Sequence, residues 1–210
     1  MGALPDALRR ALAGPLPGLD AQLRMAPRFR SGPAPDTALD DLRSAAALLL
    51  VYPHNSCWYV PLTVRGSGLR HHTGQVSLPG GRIDPGESVE EAALREAQEE
   101  VAIEPALVEV LRRLTPLPIA VSGHLLHPVV GLTLQRPTFR VAEPEVERLI
   151  EVPVARLQEP NLVRWEQRRR SQPPHDLMAV PYFDLEDARI WGATAMVLAE
   201  FLALVGELDL

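Results

Sequence analysis

The sequence predicts an α/β (α+β) fold in which a mixed β-sheet carries helices on both faces. Three observations lead there. Short β-rich apolar runs and helical stretches interleave along the 210 residues without regular strand–helix–strand alternation. One stretch, 88–102, carries the signals of a capped helix. The 21 prolines require many loops and short helices. With 46% apolar residues and no internal repeat, a chain of this length fits one domain with an extension.

Residues 3–13 repeat leucine at 4, 8 and 12 and then meet Gly14, which predicts a short amphipathic helix with a glycine stop. Residues 14–40 are rich in proline and glycine and read as an arm wrapping a core. The runs 45–52 and 57–64, separated by Pro53-His54-Asn55-Ser56, predict a β-hairpin. Residues 65–87 are glycine-dense and predict a long loop with one short strand at 75–78. Loops of that length in a compact domain are usually functional. In the helix at 88–102, Ser88 caps the start and Glu91 completes a capping box. Strands are expected at 107–114, 124–134, 149–154 and 178–185. Residues 158–177 read as a polar connection, and 190–205 as an apolar C-terminal helix.

Composition removes several chemistries. All 21 basic residues are arginine. No lysine is present to form a Schiff base, to complete a phosphate-binding GK[ST] loop or to hold ATP in the kinase manner. Cationic work falls to guanidinium groups, which suit bidentate phosphate contacts. A net charge of −6 and a pI near 5.5 argue against a nucleic-acid partner. The lone Cys57 cannot form an internal disulfide, which fits a reducing, cytoplasmic location. Its apolar neighbours favour burial over a nucleophilic role. The start of the chain lacks signal-peptide character, and the apolar segments 45–52 and 190–199 are far short of the ~20 residues that span a bilayer, so no membrane partner is expected.

The chemistry concentrates in residues 80–103, which hold six glutamates. At about 100° per residue, Glu96, Glu99 and Glu100 share an arc of about 100° that borders the apolar side made by Ala93, Leu94, Ala97 and Val101. Like charges at i, i+3 and i+4 repel even on an exposed helix, and more strongly beside a core. A cation is the natural compensation, and three hard oxygen ligands suit Mg²⁺ or Mn²⁺. Arg95 can reach Glu91, Glu99 or, across the loop, Glu87, and so can orient the ligands. Gly80, Gly81 and Gly86 allow tight turns and close backbone approach.

Gly81, Glu87 and Arg95-Glu96-Ala97-Gln98-Glu99-Glu100-Val101-Ala102-Ile103, at their spacing, resemble the Nudix box. Every charged position of that signature is filled. The glycine that ends the family's helix is Ala102 here, which predicts a longer helix or a different turn. The resemblance implies a Nudix-fold α/β/α sandwich over 41–210, with 1–40 as an N-terminal helix and proline-rich arm. It also implies hydrolysis of a nucleoside diphosphate linked to another group, with a metal-activated water attacking phosphorus. Glu96, Glu99 and Glu100 match the metal ligands, joined in some members by the backbone carbonyl at Gly80. Glu99 and Arg95 carry catalytic roles, and a loop glutamate often contributes. Glu143, Glu145 and Glu147 are the candidates, with Glu145 preferred.

Residues 62–81 are similar to the signature of the coenzyme A pyrophosphatase branch of that family, through Leu62, Thr63, Arg70, Gly74, Pro79, Gly80 and Gly81. Leu78 replaces a phenylalanine. Residues 189–195 look like the same branch's end. This implies coenzyme A or a derivative as substrate. Arg65, Arg70, His71 and His72 form a cationic group beside the helix, with Arg65, Arg70 and His72, together with Gly80 and Gly81, assigned to substrate binding. A guanidinium is well matched to the ribose 3′-phosphate. The run Arg168-Arg169-Arg170 is a weaker candidate for that phosphate, a solvated surface being the preferred reading. Two alternatives stay open. One is a Nudix enzyme for ADP-ribose, dinucleoside polyphosphates or nucleoside triphosphates, and the other is a non-catalytic Nudix-fold binding module, against which the retained glutamates argue. His124 and His127 point to opposite strand faces and cannot share a zinc ion. Gly66-x-Gly68 lacks the rest of a dinucleotide fingerprint. Trp58 and Trp191 are expected in the core, and Trp165 packed rather than stacking on a base.

Overall fold

The central hairpin forms as expected. Strand β2 (Arg43–His54) turns through Asn55 and Ser56, both at positive φ, into β3 (Cys57–Arg65). Two successive left-handed residues are what a two-residue turn between twisted strands requires. The computed structural model describes residues 3–29, 42–66, 75–170, 175–206 and 208. Among these, α1 (Ala3–Ala13), α2 (Gly18–Gln22) and a two-residue strand β1 (Arg28–Phe29) precede the hairpin. After it come β4 (Val76–Ser77), β5 (Gly80–Arg82), α3 (Val89–Val101), β6 (Glu109–Arg113), β7 (Leu117–Ile119), β8 (His124–Leu132) and β9 (Val146–Pro153). The chain ends with α4 (Val154–Leu157), β10 (Val163–Arg169), β11 (Leu177–Leu185), β12 (Ala188–Trp191) and α5 (Ala193–Val205).

The main sheet runs β4-β3-β2-β8-β6, with β5 also on β2, β7 on β8 and β9 on β3. Only β2 and β8 pair in parallel; the other pairings are antiparallel, so the sheet is mixed. Strand β2 is buried on both faces, which explains its unbroken apolar run. Ala46, Leu48, Leu50 and Tyr52 pack with Ala92, Ala93, Ala97 and Val101 of α3. Ala47, Leu49 and Val51 face the opposite way, into the larger core with Leu198, Phe201 and Val205 of α5. The result is helix, sheet and helix in three layers. The alanines on α3 let that helix lie close to the sheet, which brings its border glutamates to the level of β5.

Several elements depart from expectation. Residues 14–40 are not wholly an arm: α2 packs against α5, and Met25 is buried in the same core. Residues 158–177 include β10, which pairs with β11 along its whole length. Its alternating charged and polar residues hide it, because only one face is covered. The C-terminal helix starts at Ala193, since Ile190 and Trp191 complete β12. Cys57 is exposed, not buried. It sits at the first pair beyond the hairpin turn, where neither helix layer reaches. Trp165 is 45% exposed under the Arg28 guanidinium, and Trp58 and Trp191 are half-buried. No helix among the described residues is long and apolar enough to cross a membrane.

Helix α3 neither lengthens nor changes its ending where Ala102 replaces glycine. Ala102 takes the left-handed conformation (φ 59°, ψ 33°), and its amide and that of Ile103 close the last turn on Gln98 and Ala97. A side chain in that conformation costs about 1–2 kcal/mol. Ala102→Gly is therefore expected to stabilise the fold by about 0.5–1 kcal/mol after the entropy of the extra glycine is set against it. Thermal unfolding should show Tm rising by about 2 °C, and a fall in Tm would contradict the cap assignment.

Candidate active site

The capping box forms as read. Ser88 Oγ accepts the Glu91 amide at 3.2 Å, and Glu91 Oε2 accepts the Ser88 amide at 2.8 Å. This engages Glu91 at the helix start. Arg95 turns instead to Glu87 through two bonds of 2.9 and 3.1 Å, to Glu96 at 2.8 Å, to Glu99 at 3.2 Å and to the Arg82 carbonyl at 3.0 Å. One guanidinium thus gathers three carboxylates and ties the preceding loop to the helix. Its bonds hold the Glu87 carboxyl below the usual carboxylate range.

Glu96 is mostly enclosed, with 18% of its side chain exposed, whereas Glu99 is 60% exposed and faces outward. Gly81 lies against the Glu96 carboxylate so closely that a Cβ there would overlap it. A Cβ on Gly80 would overlap the Ala46 carbonyl oxygen and Ala47. Close approach of backbone requires glycine at 80, whereas a side chain at 81 would push the Glu96 carboxylate out of its place.

Glu100 is the most perturbed acid of the site. Its carboxyl is pushed up to about 7, first by burial, against the opposing effect of the Gly80 amide, which donates to Oε2 at 3.3 Å. The charges of Glu96 and Glu145 raise it further, and that of Arg65 lowers it. Glu145, from the segment between β8 and β9, and Arg65, at the end of β3, therefore stand close enough to act on Glu100. Strands β3 and β9 bring them together through the pairing of Arg65 with Val146.

The segment before β9 is fastened on both sides. Arg140 and Ala142 donate their amides to the carbonyls of Val101 and Glu100, at 3.1 and 2.9 Å. Gly66 donates its amide to the Glu145 carbonyl at 3.0 Å. No periodicity in the sequence marks this strap, because its contacts are made by backbone groups. Arg70, His71 and His72 lie outside the described residues.

Among the described residues, no three acidic, imidazole or thiol side chains are gathered closely enough to hold a metal ion together. Mg²⁺ does not need such a group, since it keeps several waters and takes one or two carboxylates together with substrate phosphates. The donor chemistry fits such an ion. Glu96 and Glu100 present hard carboxylate oxygens toward β5, with Glu99 at the outer edge of the helix, and burial and two neighbouring anions oppose the charge of Glu100 unless a cation offsets them.

A cleft of about 530 Å³ opens elsewhere, on the sheet face away from α3, lined in part by Val64, Val76, Arg148, Arg168, Arg189 and Trp191. Its arginines are engaged with acids. Arg148 bonds Asp187 at 2.6 Å, Arg189 bonds Glu166 at 3.0 Å, and Arg168 bonds Glu166 while stacking on Trp191 at 4.1 Å. Next in the arginine run, Arg169 donates to the His175 carbonyl, and Arg170 lies 3.5 Å from Asp176. The carboxylate site is separate from this cleft.

Residues 41–196 match the NUDIX domain. An uncharacterized Nudix hydrolase NudL from Yersinia enterocolitica is 41% identical over 138 residues, covering 65% of this chain and 69% of that protein. Its namesake from Pectobacterium atrosepticum is 36% identical over 172 residues, covering 79% and 84%. Among solved structures, the Nudix hydrolase RenU of M. smegmatis superimposes with a TM-score of 0.56 at 18% identity, over 80% of this chain and 88% of that one. A MutT protein from Methanosarcina mazei gives 0.52 at 15% identity, over 82% and 100%. The three-layer fold agrees with these matches, and the chain belongs to the Nudix family of hydrolases, which act on diphosphate bonds of small nucleotide substrates with divalent cations.

Proposed function

We propose that this enzyme hydrolyses the diphosphate bond of coenzyme A or its derivatives, giving 3′,5′-ADP and 4′-phosphopantetheine or its acyl equivalent, in the cytoplasm. One observation carries the substrate choice. Gly80 and Gly81, the end of the branch-like signature, touch the carboxylates directly, the Gly80 amide donating to Glu100 at 3.3 Å and Gly81 lying against Glu96, which supports reading that signature as part of the site.

Glu96, Glu99 and Glu100 would hold Mg²⁺ or Mn²⁺, which when bound supplies Lewis-acid charge to the diphosphate and activates water. Arg95 fixes the rotamers of Glu96 and Glu99, and Gly81 leaves room for the Glu96 carboxylate. Glu145 and Glu99 are the acids assigned to take the proton of the attacking water. Arg65, Arg70 and His72 meet the nucleotide's remaining negative charge, with a guanidinium paired to the 3′-phosphate.

The test is a substrate panel with Mg²⁺ or Mn²⁺ containing CoA, acyl-CoA, ADP-ribose, a dinucleoside polyphosphate and nucleoside triphosphates. CoA compounds should show the highest kcat/KM. ADP-ribose ahead of CoA would overturn the substrate assignment, and no turnover of any member would leave a binding module.

Metal binding should depend on pH in a defined direction. Below about 7 Glu100 is largely protonated and must lose its proton to solvent before it can ligate a cation. Mn²⁺ affinity is expected to rise up to about tenfold per pH unit below that value and to level off above it. In the metal-free protein the contribution of Glu100 to stability is fully present below the ordinary glutamate pKa and is lost as pH rises through about 7, opposite in sign to that of Glu87 and Glu151. Calorimetric titration between pH 5.5 and 8.5 checks the first trend, and an affinity independent of pH would contradict it.

A further inference from the structure

Gly66 is part of a Gly-x-Gly pair that has no role in phosphate binding of the dinucleotide type. Its φ is not in the left-handed region, so any residue could adopt its backbone conformation. Space is what demands glycine. A Cβ at 66 would overlap the Pro144 carbonyl oxygen and would stand 3.5 Å from the Glu145 carbonyl oxygen, the same atom that accepts the Gly66 amide at 3.0 Å. The facing segment cannot retreat freely. Its other end is bonded to the last turn of α3 through Arg140 and Ala142, and Val146 at once enters the ladder with β3. A side chain at 66 must therefore shift residues 144–145 against two fixed ends.

We infer that Gly66 is a positioning residue that sets the location of the Glu145 carboxylate relative to Glu100. It matches the role of Gly81 on the other side of the site. Gly81 leaves room for the side chain of Glu96, and Gly66 lets the backbone carrying Glu145 come in against the end of β3. The inference rests on the assignment of Glu145 to the reaction. A misplacement of about 1 Å at a reacting group can lower a rate by about 10²-fold, so a single methyl at 66 is enough to be measured.

The experiment is a double-mutant cycle on the full chain with Gly66→Ala and Glu145→Gln, reading kcat and KM for CoA, Mn²⁺ affinity of the substrate-free protein, and Tm. Gly66→Ala is expected to lower kcat about 10- to 100-fold with KM changed less than about threefold, and to weaken Mn²⁺ binding by moving the Glu145 charge away from the cation site, and Glu145→Gln, which removes that charge, is expected to do the same. In the Glu145→Gln background, the second change should alter kcat and Mn²⁺ affinity by less than about threefold. A merely structural role would lower Tm in both backgrounds and leave Mn²⁺ affinity alone. Multiplicative losses, or a Gly66→Ala enzyme within about twofold of the parent, would overturn the inference. Glu145→Gln with full activity would instead remove the role of Glu145 while leaving the fold untouched. Should Gly66→Ala fail to fold, Pro144→Gly loosens the same segment from its own side. It should lower kcat in the parent background and stay silent beside Glu145→Gln, and losses in both would again refute the coupling.

Discussion

Glu100→Gln is expected to lower kcat by about 10³-fold or more while leaving the fold intact. Removing an anionic ligand from a cation that stabilises transition-state charge costs several kcal/mol, and ~4 kcal/mol corresponds to that factor. The amide keeps the shape of the side chain, and its oxygen can still accept the Gly80 amide. Glutamine also avoids burying a charge among Glu96 and Glu145, so the metal-free variant should melt at or slightly above the parent temperature. Steady-state kinetics and calorimetry check both halves. Activity within tenfold of the parent would remove Glu100 from the metal site, and a large drop in Tm would show its role to be structural.

The second large effect concerns stability. Glu200 of α5 is fully buried, and its two carboxyl oxygens accept bonds from Gln22 Nε2 at 2.7 Å, Thr115 Oγ1 at 2.6 Å, the Thr115 amide at 3.2 and 3.3 Å, and the Gly18 amide at 3.3 Å. One side chain joins α5, the β6–β7 connection and α2. Truncation leaves several buried donors without an acceptor, each worth about 1–3 kcal/mol. Glu200→Ala is therefore expected to cost about 3–5 kcal/mol and to lower Tm by about 10 °C or more. Its kcat at low temperature should be unchanged, because Glu200 lies on the sheet face away from α3. A Tm within about 2 °C of the parent would contradict this account of how the N-terminal segment is held.

Glu200 also marks what the sequence concealed. It appears as one polar residue in an apolar helix, and nothing in its local pattern pairs it with Gln22 or Thr115, which lie 178 and 85 residues away in the chain. Strand β10 was hidden for a different reason. Its arginines and glutamine break the apolar alternation, and only pairing with β11 makes it a strand. Cys57 and Trp165 misled because apolar neighbours in sequence do not share a covered face once a hairpin tip or a sheet rim is reached. The glutamate-bearing helix α3 was legible because its logic is local. The capping box, the helical spacing of the glutamates and the reach of Arg95 all lie within residues 87–100. The hairpin was equally plain, as turn chemistry and apolar runs agreed. The strap that carries Glu145 was out of reach, since backbone amides leave no trace in residue identity.

The central claim is cleavage at the diphosphate of coenzyme A, and the most direct measurement is the mass of the products formed from CoA and Mn²⁺ in ¹⁸O-labelled water. The expected result is 3′,5′-ADP and 4′-phosphopantetheine in equal amounts, with one ¹⁸O atom in either the 5′-phosphate of the first or the 4′-phosphate of the second. Recovery of intact CoA, or of dephospho-CoA with labelled inorganic phosphate, would contradict it.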